Sequence, residues 1–127
     1  MEQYLMDTNV GSDYLSNSFP ATVMQFMDAA INAIPNLSVI TQIELLCWKT
    51  ATDTEEKVKS FIADRIVLNN NPGVITQCTN LRKGKKIKTP DAIVAATTLA
   101  YGYTLINNNE KDFASIKGLK SINPNKL

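Results

Sequence analysis

The chain contains no histidine, and that absence alone removes Ser-His-Asp and Cys-His catalysis, histidine-based zinc sites and any paired-imidazole chemistry. Cysteine is scarce: Cys47 and Cys78 are the two present. Their separation offers neither a Cys-x-x-Cys pair nor a disulfide framework, so both are expected to be buried, reduced and inert. No uncharged apolar run is long enough to span a bilayer, and the opening Met-Glu-Gln-Tyr lacks the basic flank and apolar stretch of a signal peptide. A cytoplasmic protein is the expectation. Hydrolytic chemistry in such a chain must rest on carboxylates and a bound cation.

What is present is an ordinary globular balance. Of 127 residues, 44% are hydrophobic and 20% charged, enough apolar material for one core and one domain over residues 1–127. The net charge of +1 does not advertise a polyanion partner, but its distribution is uneven. Arg82, Lys83, Lys85, Lys86 and Lys88 crowd into seven positions, a patch able to make several phosphate contacts. The same run also reads as the cationic end of a helix stopped by Gly84, and both readings stay open.

Short β-type segments alternate with helical ones. Tyr4-Leu5-Met6, Leu37 to Ile40, Ile66-Val67-Leu68, Thr104-Leu105-Ile106 and the region of Lys120-Ser121-Ile122 read as strands. Helices are expected after the first strand and over Pro20–Ala33, Thr41–Thr50, Glu55–Asp64, Val74–Lys83 and Pro90–Tyr101, the last capped by Thr89 with Pro90 at the first helical position. Asn107-Asn108-Asn109 and the other Asn- and Pro-rich stretches punctuate these elements. The alternation predicts an α/β domain with a central, mostly parallel five-stranded sheet flanked by helices.

Ligands of open α/β sheets bind beyond the carboxyl ends of the strands. Asp7 follows the first strand directly, Glu44 falls in the first turn of the helix after the second, and Asp112 lies in the loop after the Thr104 strand. Asp91 opens the helix that leads into that strand. Each acid alone has a plain structural use: Asp7 as a cap, Thr41 to Glu44 as a capping box, Asp91 at a helix's positive pole, Asp112 in a turn. Brought together, however, they repel and must either protonate or hold a hard divalent ion such as Mg²⁺ or Mn²⁺.

Four segments carry a further signal: Tyr-Leu-Met-Asp7-Thr-Asn-Val, Ser-Val-Ile-Thr-Gln-Ile-Glu44-Leu-Leu, Lys-Thr-Pro-Asp91-Ala-Ile-Val-Ala-Ala-Thr and Thr-Leu-Ile-Asn-Asn-Asn109-Glu-Lys-Asp112-Phe. In order, they resemble the acidic motifs of PIN domains, most closely those of VapC-type toxins of toxin–antitoxin pairs. The likeness extends through Gly118-Leu119 to Ile122-Asn123-Pro124. It implies a PIN-like three-layer sandwich in which Asp7, Glu44, Asp91 and Asp112 bind metal, with Thr8, Asn9 and Asn109 in support. Two departures stand out: Gly11 replaces a usual bulky apolar residue, which predicts a looser first helix, and Asn107-Asn108 stands where a threonine–arginine pair is common.

The resemblance further implies an Mg²⁺- or Mn²⁺-dependent endoribonuclease acting on structured RNA, transfer or ribosomal, through a metal-activated water. It also implies a homodimer and a small VapB-like antitoxin partner. The basic run from Arg82 to Lys88 would grip the RNA backbone beside Asp91. Trp48 and the apolar face of residues 20–33 are expected in the core rather than in partner contacts. Two rivals remain: a PIN-like binding protein without activity, and, more remotely, a receiver-like signalling domain, which would want adjacent acids after the first strand.

Overall fold

A computed structural model describes residues 3–33, 35–84 and 86–127. Its strands are β1 (Tyr4–Met6), β2 (Asn36–Ser38), β3 (Ile66–Leu68), β4 (Thr104–Ile106) and β5 (Ser121–Ile122). Its helices are α1 (Thr8–Leu15), α2 (Ala21–Asn32), α3 (Val39–Cys47), α4 (Thr52–Ala63), α5 (Pro72–Gly84), α6 (Thr89–Tyr101) and α7 (Glu110–Phe113), followed by a 3-10 turn at Pro124–Lys126. The sheet order is β3-β2-β1-β4-β5, and every pairing is parallel. This is the three-layer PIN-like sandwich that the sequence suggested.

The layers follow from the pleat. Neighbouring residues of a strand face opposite sides of the sheet, and here Leu5 and Leu105 join one core while Met6 and Ile106 join the other. The first core gathers Ala92, Val94 and Ala95 of α6 with Phe113 and Ile116. The second gathers Val10, Met27, Leu45, Val58 and Phe61 from α1 to α4 with Leu37 of β2. Both faces of the central strands β1 and β4 are thus covered, whereas edge strand β3 leaves Ile66 exposed. Trp48 and the apolar face of α2 pack against the second core, as expected.

Several boundaries differ from the sequence reading. β2 ends at Ser38, not Ile40, because the Ser38 hydroxyl accepts from the Thr41 amide at 3.2 Å and caps α3, drawing the β-branched Val39 and Ile40 into the helix. Helix α4 starts at Thr52, three residues early, with Asp53 and Glu55 at its positive pole. Asn71 Oδ1 accepts from the Val74 amide at 2.9 Å, so α5 begins at Pro72. In α6 the capping position belongs to Lys88 and Thr89 is already helical, since the Ala92 amide reaches the Lys88 carbonyl at 2.9 Å. Cys47 is exposed rather than buried, and Cys78 is half-buried; both are free thiols. Two positions beyond the buried Leu45, Cys47 is rotated by about 200° to the opposite face of the helix. Among the described residues no helix is long and apolar enough to cross a membrane.

Gly11 does not loosen α1, which runs unbroken through it. The residue is buried where α1 meets α3, and a Cβ there would lie 3.6 and 3.7 Å from the Leu45 methyls, ordinary contact distances. Gly11→Ala is therefore expected to stabilise the fold by about 0.5–1 kcal/mol through reduced unfolded-state entropy. Gly11→Leu should instead drive into Leu45 and cost roughly 1–3 kcal/mol. Denaturant midpoints of the two variants, read against wild type, check both signs.

Candidate active site

The chain leaves central β1 toward β2 and β3, then crosses to its other side with β4. The crevice beyond the carboxyl ends of β1 and β4 is thus a topological switch point. Asp7 is the first residue past β1, and its amide donates to the Ile106 carbonyl at the end of β4 at 3.0 Å. It occupies the capping position of α1, but its side chain makes no capping bond, so the cap reading does not account for the carboxylate. That carboxylate belongs to a residue only 6% exposed.

Burial pushes the Asp7 pKa from 3.8 up to about 6; the Thr8 amide pulls it down, and Asp91, Glu44 and Asp112 push it further up. Asp91, half-buried in the first turn of α6, is also raised, by burial first and then by Asp112 and Glu44, with Lys88 opposing them. Acids from four separate segments therefore feel one another's charge at one end of the sheet. Among the described residues, no three acidic, cysteine or histidine side chains stand close enough to wrap an ion unaided.

Hydrogen bonds fix the individual groups. Glu44 sits in the second turn of α3, six residues beyond β2, so the capping-box reading of Thr41 to Glu44 is replaced by the Ser38 cap. Its Oε1 accepts from the Thr8 hydroxyl at 2.6 Å, and the buried Thr41 hydroxyl lies 3.3 Å from the same Thr8 oxygen. Asp112 lies in α7 rather than a loop and accepts from Asn109 Nδ2. Asn9 is exposed on α1, where its carbonyl accepts from Ser12 at 3.1 Å. Sequence reasoning missed Ser38 and Thr41, whose only sequence signal is a serine three residues before a threonine at a strand end.

One member of the basic run, Lys88, reaches this crevice. Lys88 precedes α6, and its charge reaches Asp91. Arg82 and Lys83 close α5, which does end at Gly84, and Arg82 donates to Thr89 Oγ1 across to α6. Lys86 is exposed, and Lys85 falls outside the described residues.

No family model matches this sequence, and no curated protein sequence matches it. Solved structures do. A chain of DNA-bound VapBC from Salmonella typhimurium superposes with a TM-score of 0.81 over 98% of this chain and 99% of that one, at 20% identity. A chain of a toxin–antitoxin complex from Klebsiella pneumoniae gives 0.74 over 96% and 98%, at 29% identity. A chain of FitAcB from Neisseria gonorrhoeae gives 0.77 over 98% and 100%, at 23% identity. The chain has the PIN-like fold of these complexes.

The raised Asp7 value carries a stability consequence. Between pH 3.8 and about 6 the folded protein holds a proton that the unfolded chain has released. This contribution is fully present below the lower value and is lost as pH rises through the upper one, on the order of 3 kcal/mol in all. Under chelation, Asp7→Asn is expected to gain on wild type as pH rises across that window. Denaturant midpoints at about pH 4 and about pH 8 measure the change; an equal gap at both would refute the assignment.

Proposed function

We propose that this chain is a VapC-type toxin, an Mg²⁺- or Mn²⁺-dependent endoribonuclease acting on structured RNA. The observation that carries the reading is the buried Asp7 carboxylate at the sheet's switch point, pressed upward in pKa by burial and by three other acids. The fold shared with chains of toxin–antitoxin complexes supports it, and those complexes also support a VapB-like protein partner. A homodimer completes the proposed assembly.

The residues present suit a hard divalent ion. Carboxylates are oxygen donors, and an ion that keeps several waters and shares substrate phosphate needs few of them, which accords with the absence of a ready-made cage among the described residues. Asp7, Asp91 and Asp112 would hold it, with Glu44 holding a second ion or orienting water. When bound, the ion supplies a water of lowered pKa and neutralises charge gathering on the phosphoryl oxygens.

The chain's own groups do the rest. The Thr8 hydroxyl fixes one Glu44 oxygen, and Asn109 fixes one Asp112 oxygen, so neither carboxylate is free to swing away from the rim. Asn9, exposed on α1, would support a water or substrate group at the edge. Arg82, Lys83, Lys85, Lys86 and Lys88 would take backbone phosphates leading to Asp91.

Purified without an antitoxin, the protein should cut transfer or ribosomal RNA with Mn²⁺ or Mg²⁺, leaving 5′-phosphate and 3′-hydroxyl ends, and stop with chelator. Asp7→Asn and Asp91→Asn, each folded by circular dichroism, should lose at least about a hundred-fold in rate. Cyclic phosphate ends, or cleavage surviving in both variants, would remove the mechanism; RNA binding without cleavage would favour the inactive binding protein. Neutralising Lys83, Lys86 and Lys88 should weaken RNA binding and flatten its salt dependence by roughly one unit of slope for each phosphate no longer neutralised.

A further inference from the structure

Asn107-Asn108-Asn109, punctuation in the sequence reading, forms the passage from β4 to the short helix carrying Asp112. Each asparagine is used differently. Asn107 is 1% exposed, its amide donates to the Ile122 carbonyl at 3.0 Å, and its Oδ1 accepts from the Asn109 amide at 3.1 Å. Asn109 holds Asp112. Asn108 reaches out of the loop: its Nδ2 donates to Asp13 Oδ2 at 2.6 Å, joining positions 95 residues apart.

A four-residue helix such as α7 has too few internal bonds to fix its own place. The Asn107 bonds tie the passage to β5 and to itself, and those of Asn109 stay local. Among the described residues, the Asn108 side-chain bond is the one that ties this passage to α1, the helix that starts immediately after Asp7. It therefore bears on the separation between the first acid and the last. Its chemistry also suits that duty. A hydrogen bond accepted by a carboxylate and half-shielded from solvent is a strong one.

We infer that Asp13 and Asn108 form a positioning clasp that sets the Asp112 carboxylate against Asp7, a role that rests on the cation site proposed above. Neither residue touches the ion or the RNA; both act through Asp112. The clasp is neutral on the donor side and carries a carboxylate on the acceptor side.

Two readouts test it, with the denaturant midpoint as a control for folding. Asn108→Asp, which sets two carboxylates against each other, and Asp13→Ala should each lower Mn²⁺ affinity by about ten-fold in calorimetric titration. Without metal, the same variants should speed amide exchange over residues 109–114 while the core strands keep their protection. Asp13→Asn retains an oxygen acceptor and should stay near wild type. The reversed pair, Asp13→Asn with Asn108→Asp, exchanges donor and acceptor and should recover both readouts. Unchanged affinity and exchange in the two disruptive variants overturn the clasp, as does a reversed pair no better than Asn108→Asp alone. Wild type with no saturable Mn²⁺ binding overturns the cation site instead, and amide exchange then decides the clasp by itself.

Discussion

Burial of an acid at the carboxyl end of the central strand, reinforced by the charges of three other acids, is the constraint on which the site depends. Asp7 is nearly removed from solvent and sits within reach of the charges of Asp91, Glu44 and Asp112. A fold left to stability alone would replace one of these with an apolar or amide side chain, because burying an ionised group without a partner is costly. Their retention concentrates negative potential in one crevice, and the Thr8, Asn109 and Asn108 bonds hold the surrounding geometry against it.

The sheet makes that concentration possible. Because β1 lies in the middle of five parallel strands, both flanking layers can deliver helix termini to the same edge: α1 and α3 from one core, α6 and α7 from the other. Leu5 and Met6 commit consecutive residues to opposite cores, leaving the next residue, Asp7, at the junction between the layers. The position of the first acid is thus that of the turn from β1 into α1.

Much of this was legible in the residues. Thr104-Leu105-Ile106 is buried on both faces, which erases alternation, whereas Ile66-Val67-Leu68 is an edge strand that leaves Ile66 exposed and is legible from its β-branched apolar run alone. The four acids were found because each was read near an element boundary and because the segments around them resemble, in order, the acidic motifs of PIN domains, although Glu44 lies a turn deeper in α3 than that reading placed it. Val39 and Ile40 misled, since their β-branched preference is overridden by one serine hydroxyl acting as a cap. Helix α7 was invisible because four residues cannot display a helical period, and its order comes from surroundings. Asp13 and Asn108 were beyond sequence reasoning altogether: nothing local distinguishes a surface aspartate from one bonded to a loop 95 positions away. Cys47 shows the converse, an apolar type on a helix whose inward face was already filled by Thr41 and Leu45.

The pairing of β1 with β4 joins Tyr4 to Thr104 and Met6 to Ile106, so the crevice has no partial form. Until β4 has docked beside β1, Asp7 lacks the strand whose following segment carries Asp112. A partly folded chain therefore carries the four acids without the crowding that marks them in the finished sheet.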